Sequence, residues 1–349
     1  MEKILLKGNI ALCEGAIAAG LKAYFGYPIT PQNEIPAHMS KRMTELGLVF
    51  LQAESELAAI NMVLGAAGTG TLAMTSSSSP GISLKQEGIS YLAACELPAV
   101  IVNVQRGGPG LGNIAGSQAD YFQSTKGGGH GDYRLLVLAP STVQEMYDFA
   151  YISFELAFKY RNPVLILADG IVGQMMEPIS IDKNKKPVKV DSKDWALTGA
   201  KNRPPRFHRS LLMNDDDLEK LNWKLNEKYK KIKENEIRYE AIDTEDADII
   251  LVAFGISARV AKVAARKARE QGIKAGLIRP ITLWPFPEKV ISDAAKPGRK
   301  FLVVEMNLGQ MVEDVRLAVN GKCPVEFLGR PGGSVVNEQE ILNKILELK

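Results

Sequence analysis

Two hydrophobic periods alternate along the first half of this chain. Runs of β-branched and other apolar residues at Ala23 to Tyr27, Leu48 to Gln52, 71–76, 99–105, 135–140 (LLVLAP) and 163–169 (PVLILAD) have the length and composition of strands. Between them, apolar and small positions recur at helical spacing over 9–20, Gln32 to Glu45, from Glu56 onward, 83–94 and Thr142 to Tyr160. Strands that are apolar throughout and alternate with helices predict a parallel sheet covered on both faces. In such sheets reactive groups gather at the carboxyl ends of the strands. Thr30, Glu56, Ser76 to Ser79 and Arg106 all fall at such ends.

The alternation breaks over 183–243. KNKKPVKVDSKDW is polar and extended, and NDDDLEKLNWKLNEKYKKIKENEIRYE reads as a charged, solvent-facing helix, so a connection is expected here. From Asp248 the pattern returns: the strand DIILVAFG, a helix from Ser257 to Gln271, the strand KAGLIRP, the stretch TLWPFP, a short helix, a strand at 301–307, a helix at 309–319 and a strand at 324–329. The expected organisation is α/β throughout. A parallel-sheet domain covers 1–182, a connecting segment 183–243 and a smaller parallel domain 244–349.

Composition removes several classes of function. The 349 residues are 46% hydrophobic, enough for two cores, and 43 basic against 40 acidic residues leave a formal charge of +3. So even a balance gives no electrostatic case for nucleic acid. No run reaches the roughly 18 apolar residues that a membrane span needs. The opening MEKILLKGNIALCEGAIAAG is interrupted by Lys3, Lys7 and Glu14, and its GNxAxxxGAxxAG reads as a helix of the fold rather than a leader, so cytoplasmic residence is expected. Cys13, Cys95 and Cys323 are far apart with no CxxC pair, whereas an iron–sulfur cluster usually takes four thiolates, so none is expected in this chain. His38, His130 and His208 form no metal-ligand pattern, and no metal site is expected either.

Chemistry concentrates in four stretches. Glu56 opens an almost wholly small and apolar helix whose Ala59, Ile60, Val63 and Gly65 would let a backbone or a flat ligand approach, leaving the carboxylate in a dry crevice. Such a setting raises a carboxyl pKa and suits proton exchange with a heteroaromatic nitrogen. In GYPITP (26–31) two prolines fix the turn, and Thr30 serves either as an N-cap or as a presented hydroxyl. TSSSSPG (75–81) offers hydroxyls and N–H groups at a helix start, where anions can bind, or is simply a solvated turn. In VQRGGPGLGN (104–113) Arg106 could clamp a carboxylate beside a glycine-rich loop that can approach a ligand. TKGGGHGDY (125–133) reads as a mobile loop in which His130 is either a substrate contact or an exposed polar residue. The acidic GDG motif followed by Asn, which holds Mg²⁺ between phosphates in thiamine diphosphate enzymes, is missing: HGD (130–132) and ADG (168–170) lack its continuation.

GYPITP, QAESELAAINMVLGAA, MTSSSSPG and NVQRGGPGLGN, in this order and spacing, closely resemble the α subunit of 2-oxoacid:ferredoxin oxidoreductases, nearest to the branched-chain members that use 2-oxoisovalerate. The likeness covers essentially the whole chain, since DIILVAFGISARVAKVAA with GLIRPITLWPFP is similar to a transketolase C-terminal-like domain. It implies that residues 1–182 bind the pyrimidine half of thiamine diphosphate through Pro28, Ile29, Thr30 and Glu56, while a β subunit holds the diphosphate and Mg²⁺. Glu56, selected over Glu54 by the family spacing to Gly65, would bond the pyrimidine ring nitrogen. Thr30, Arg106, Ser78 and Asn113 would meet the substrate. The implied reaction is coenzyme A-dependent oxidative decarboxylation of a 2-oxoacid, with iron–sulfur clusters on other subunits. The implied partners are β, γ and ferredoxin-like δ subunits and ferredoxin, in a homodimer of the heteromeric unit. The same reaction on pyruvate or 2-oxoglutarate, a transketolase or E1-type subunit with another acceptor, and a non-catalytic scaffold are the alternatives.

Overall fold

The computed structural model describes residues 3–182 and 184–349, so the expected boundary at Lys183 lies outside the described residues. The chain begins with β1 (Lys3–Lys7), α1 (Gly8–Ala18), β2 (Ala23–Gly26), α2 (Glu34–Glu45), β3 (Val49–Gln52), α3 (Glu56–Gly68), β4 (Ala73–Ser77) and α4 (Ser79–Ala94). It continues through β5 (Val100–Gln105), α5 (Tyr121–Thr125), β6 (Leu136–Leu138), α6 (Val143–Tyr160), β7 (Val164–Asp169), α7 (Gly170–Gln174) and β8 (Met176–Ser180). Strands β2 to β7 lie parallel in the order β6-β7-β5-β4-β2-β3. Because β3 pairs on one side of β2 and β4 on the other, the strand order reverses there and a crevice opens beyond their carboxyl ends.

Both faces of this sheet are covered, as apolar strands require. Along β5, Val100, Val102 and Val104 enter one core with Leu12, Met39 and Tyr147, while Ile101 enters the other with Ile60, Val63 and Ile89. This is the side-to-side alternation of a strand. Helix α1 lies close on α6 because Gly15 has no Cβ to strike the main chain of Tyr147. Helix α6 starts where the Thr142 hydroxyl accepts from Glu145 N at 3.1 Å and stops at Arg161, whose φ of 47° cannot continue the helix.

The remainder comprises α8 (Asp215–Asn235), β9 (Tyr239–Ile242), β10 (Ile249–Val252), α9 (Gly255–Glu270), β11 (Ala275–Pro280) and β12 (Thr282–Trp284). Then follow α10 (Glu288–Ala294), β13 (Lys300–Glu305), α11 (Met311–Val319), β14 (Val325–Gly329) and α12 (Glu338–Leu348). A second sheet runs β14-β13-β10-β11-β9, parallel except for the edge strand β9.

The tertiary structure alters four readings of the second half. Helix α8 is not wholly solvated: Leu225, Tyr229 and Ile232, spaced by one turn, are buried, and Tyr229 meets the Trp284 ring edge-on at 5.8 Å. Within the expected connection, β9 belongs to the second sheet. The stretch TLWPFP does not stay in the second unit, because β12 crosses over and pairs antiparallel with β6 at the edge of the first sheet, making it seven-stranded. Helix α12, which the alternation did not mark, has a reciprocal cap between Asn337 and Glu340 and buries Ile341, Leu342 and Ile345. No helix among the described residues is long and apolar enough to cross a membrane.

Candidate active site

The carboxyl ends of β2, β3, β4 and β5 bring together the residues singled out in the sequence. Glu56 is the first residue of α3, directly after the N-cap Ser55, whose hydroxyl accepts from Ala58 N at 3.2 Å. It is 5% exposed. Its carboxylate faces the first turn of α4: a Cβ built on Gly81 would lie 2.5 Å from Glu56 Oε1 and closer still to Ser77 Oγ. The close approach expected around Gly65 is therefore misplaced, since Gly65 is exposed with nothing within 4 Å of such a Cβ. The glycines that let the helices meet are on α4, where Gly81 faces Glu56 and Gly88 faces Ile60.

A buried chain of hydrogen bonds fixes the GYPITP turn from below. Tyr24 OH lies 2.7 Å from Ser76 Oγ, which donates to Gln32 Oε1 at 2.5 Å, and Gln32 Nε2 donates to Tyr27 O at 3.1 Å. Burial pushes the Tyr24 phenol well above its ordinary value, so it is protonated in this chain. Thr30 is not a helix cap, since Asn33 holds that position and donates its Nδ2 to Thr30 Oγ1 at 3.1 Å. Pro28 is exposed, and Ile29 and Thr30 are half-buried.

Arg106 latches the turn to the glycine-rich loop. Its Nη1 donates to Thr30 O at 3.0 Å and its Nη2 to Leu111 O at 2.8 Å, while the Nε is buried with no partner among the described residues. At 7% exposure, a guanidinium held by neutral carbonyls is an electrostatically incomplete arrangement. Ser77 and Ser78 hydroxyls are likewise buried and unpartnered among the described residues. The first N–H of α4 is not free for an anion, because Ser79 N donates to Asn103 Oδ1 at 3.0 Å. Asn113 is exposed and donates to Gly332 O at 2.7 Å in the second unit. His130 is exposed on its loop, while Tyr133 behind it accepts from Gly129 N at 2.9 Å.

Three buried groups of the site were missed in the sequence. Asn103 and Ser79 both donate to Asp120 Oδ2, at 2.8 and 2.6 Å, and burial raises the Asp120 pKa against those two bonds. Lys85 on α4 is fully buried, with its Nζ donating to Thr75 Oγ1 at 2.7 Å. Burial lowers its pKa to about 7, with the charge of Glu56 opposing that fall. The signal for Lys85 was present: it stands three residues after Ile82 and four before Ile89 in the buried stripe, while Leu84 beside it is exposed.

Comparison with known proteins agrees over the full length. Residues 14–243 match the family model "Pyruvate flavodoxin/ferredoxin oxidoreductase, thiamine diP-bdg", and 247–341 match "Pyruvate:ferredoxin oxidoreductase core domain II". The chain is 53% identical over 348 residues to ketoisovalerate oxidoreductase subunit VorB of Methanothermobacter marburgensis, covering 100% of this chain and 98% of that one. It is 39% identical to the 2-oxoglutarate synthase subunit KorA of the same organism, covering 100% of both. The solved 2-oxoglutarate:ferredoxin oxidoreductase from Magnetococcus marinus superposes with a TM-score of 0.87 at 25% identity, over 99% of this chain and 65% of that one. A thiamine-type crevice on a parallel sheet, a second α/β unit and full-length identity to such subunits place this chain in the 2-oxoacid:ferredoxin oxidoreductase family, as an α-type subunit of the enzyme.

Proposed function

We propose that this chain is the pyrimidine-side subunit of an enzyme that oxidatively decarboxylates a branched-chain 2-oxoacid, 2-oxoisovalerate, with coenzyme A and ferredoxin as acceptors. The observation that carries the reading is the buried Glu56 carboxylate facing the Gly81 slot, where only a residue without a Cβ fits. With the unpartnered hydroxyls of Ser77 and Ser78 nearby in sequence and fold, these groups suit a flat ring that carries nitrogen donors and acceptors. When bound, thiamine diphosphate supplies the electron sink that decarboxylation needs.

Glu56 would hold the pyrimidine ring nitrogen and, as a buried carboxylate, would hold or release a proton there. Pro28, Ile29 and Thr30 line the approach to the ring. Arg106 keeps Thr30 in place through its carbonyl, and its remaining N–H groups meet the substrate carboxylate that completes its charge. Ser78 and Asn113 complete the substrate side, Asn113 by holding the glycine-rich loop against Gly332. The diphosphate, Mg²⁺ and iron–sulfur clusters belong to the β, γ and δ subunits of a cytoplasmic complex in which the heteromeric unit pairs with a second copy. The branched-chain substrate is favoured by the higher identity to the ketoisovalerate subunit than to the 2-oxoglutarate subunit.

The test is steady-state turnover of the assembled complex on 2-oxoisovalerate, pyruvate and 2-oxoglutarate, with coenzyme A and a viologen acceptor. The highest kcat/KM is expected on 2-oxoisovalerate, and preference for either other acid overturns the substrate. Glu56→Gln is expected to lower kcat by on the order of 10²-fold, the loss typical of a proton-transfer group. Turnover within a few-fold of wild type would remove Glu56 from its role.

A further inference from the structure

The mechanism above leaves one buried cation unused. Lys85 has no exposed surface, and it stands on α4, the helix packed against α3, which Glu56 opens. On α4, Gly81 faces the Glu56 carboxylate, Lys85 follows one turn later on the same side, and Gly88 faces Ile60. On α3, Glu56 and Ile60 are also one turn apart, so the glycines draw the helices together on either side of the lysine. Below it, Thr75 of β4 accepts the Nζ bond at 2.7 Å. A hydroxyl is a neutral partner and does not balance an ammonium, and Glu56 is the charged group whose field reaches it.

We infer that Lys85 is a positioning residue for Glu56, a hidden counter-charge that sets the protonation state and the direction of that carboxylate toward the ligand crevice. The inference rests on Glu56 having the role proposed above. Its physical content is simple: an ammonium whose field reaches a buried carboxylate favours the ionised form, and removing it makes the carboxylate hold its proton to higher pH. The burial that drops the Lys85 pKa to about 7 also makes the counter-charge fade as pH rises through neutrality, so the effect is largest on the acid side. The groups facing the pair are Thr75 from β4, Ser77 at its end and Gly81 from α4.

The experiment compares five assembled complexes: wild type, Lys85→Met, Glu56→Gln, the Lys85→Met/Glu56→Gln double variant and Thr75→Val. Two readouts are followed from pH 5.5 to 9, kcat and the dissociation constant of thiamine diphosphate by titration. Lys85→Met is expected to move the limb that is absent in Glu56→Gln upward by about one pH unit. It is also expected to weaken cofactor binding roughly tenfold near neutral pH, and to do neither on the Glu56→Gln background. Thr75→Val, which removes only the lysine's hydrogen bond, is expected to move the same limb in the same direction by less. Equal effects of Lys85→Met on both backgrounds would show that the lysine acts through packing, and an unmoved limb would show that it does not reach Glu56; either overturns the inference. Near-normal turnover in Glu56→Gln alone would instead defeat the role of Glu56 itself.

Discussion

At the scale of single residues, the site is a set of polar groups held where water is scarce, and each has a reason to be costly. Lys85 illustrates the sign of that cost. Its pKa falls from 10.5 to about 7 on folding, so between those values the unfolded chain binds a proton that the folded chain lacks, and stability rises with pH across that window. Replacing it by methionine should therefore stabilise the chain most below pH 7, with the gain shrinking as pH rises and gone by about pH 10.5. Urea denaturation at pH 6, 8 and 10 measures this, and a gain that is flat or grows with pH contradicts it. Glu56 and Arg106 were legible in the sequence because a charge at a strand end stands out against apolar neighbours. Lys85 was not read, because a lysine in a helix is ordinarily solvated, and its place in the stripe of Ile82 and Ile89 gains meaning only once that face of α4 is seen to be buried.

At the scale of elements, the packing of α3 on α4 decides where the carboxylate points. Gly81→Ala tests this directly. The backbone at Gly81 accepts an L residue, so the only penalty is the Cβ itself, 2.0 Å from Ser77 Oγ and 2.5 Å from Glu56 Oε1, two side-chain ends that must shift. The variant is expected to fold, with a loss of about 1–3 kcal/mol from overpacking, and to bind thiamine diphosphate at least tenfold more weakly in the assembled complex. Calorimetric titration checks it, and unchanged affinity would mean that Gly81 does not set the direction of the Glu56 carboxylate. The strands and long helices of the first domain could be read from their periods. The short β9 and β12 and the burial of α8 could not, because three or four residues carry too little periodicity and their partners come from distant parts of the chain.

At the scale of the whole molecule, buried polar groups tie the two sheets into one body. Asp169 at the end of β7 accepts from Ile171 N, Val172 N and, across the junction, Ile256 N at 2.8 Å, so the ADG that lacked a metal-binding continuation is a helix cap and a domain clasp. Gln118 bridges Phe254 O, Ser257 and Met306 N. Arg279 of β11, 5% exposed, reaches Glu145 of α6 at 2.6 and 2.8 Å and Glu240 at 3.2 Å. Arg279→Met is expected to cost about 3 kcal/mol, because it leaves Glu145 partly buried without its cation. A melting temperature unchanged from wild type would contradict this. By itself the sequence determined the α/β class, the strand ends at which Thr30, Glu56, Ser78 and Arg106 stand, and the family, because hydrophobic period and motif spacing are local properties of the chain. The tertiary structure alone decided which glycines let α3 and α4 meet, that Arg106 is held by the carbonyls of Thr30 and Leu111, that Asn113 serves the junction, and that Lys85 lies enclosed on α4. Those facts depend on which helices meet face to face, and burial and close approach belong to pairs of elements that the linear order does not place together.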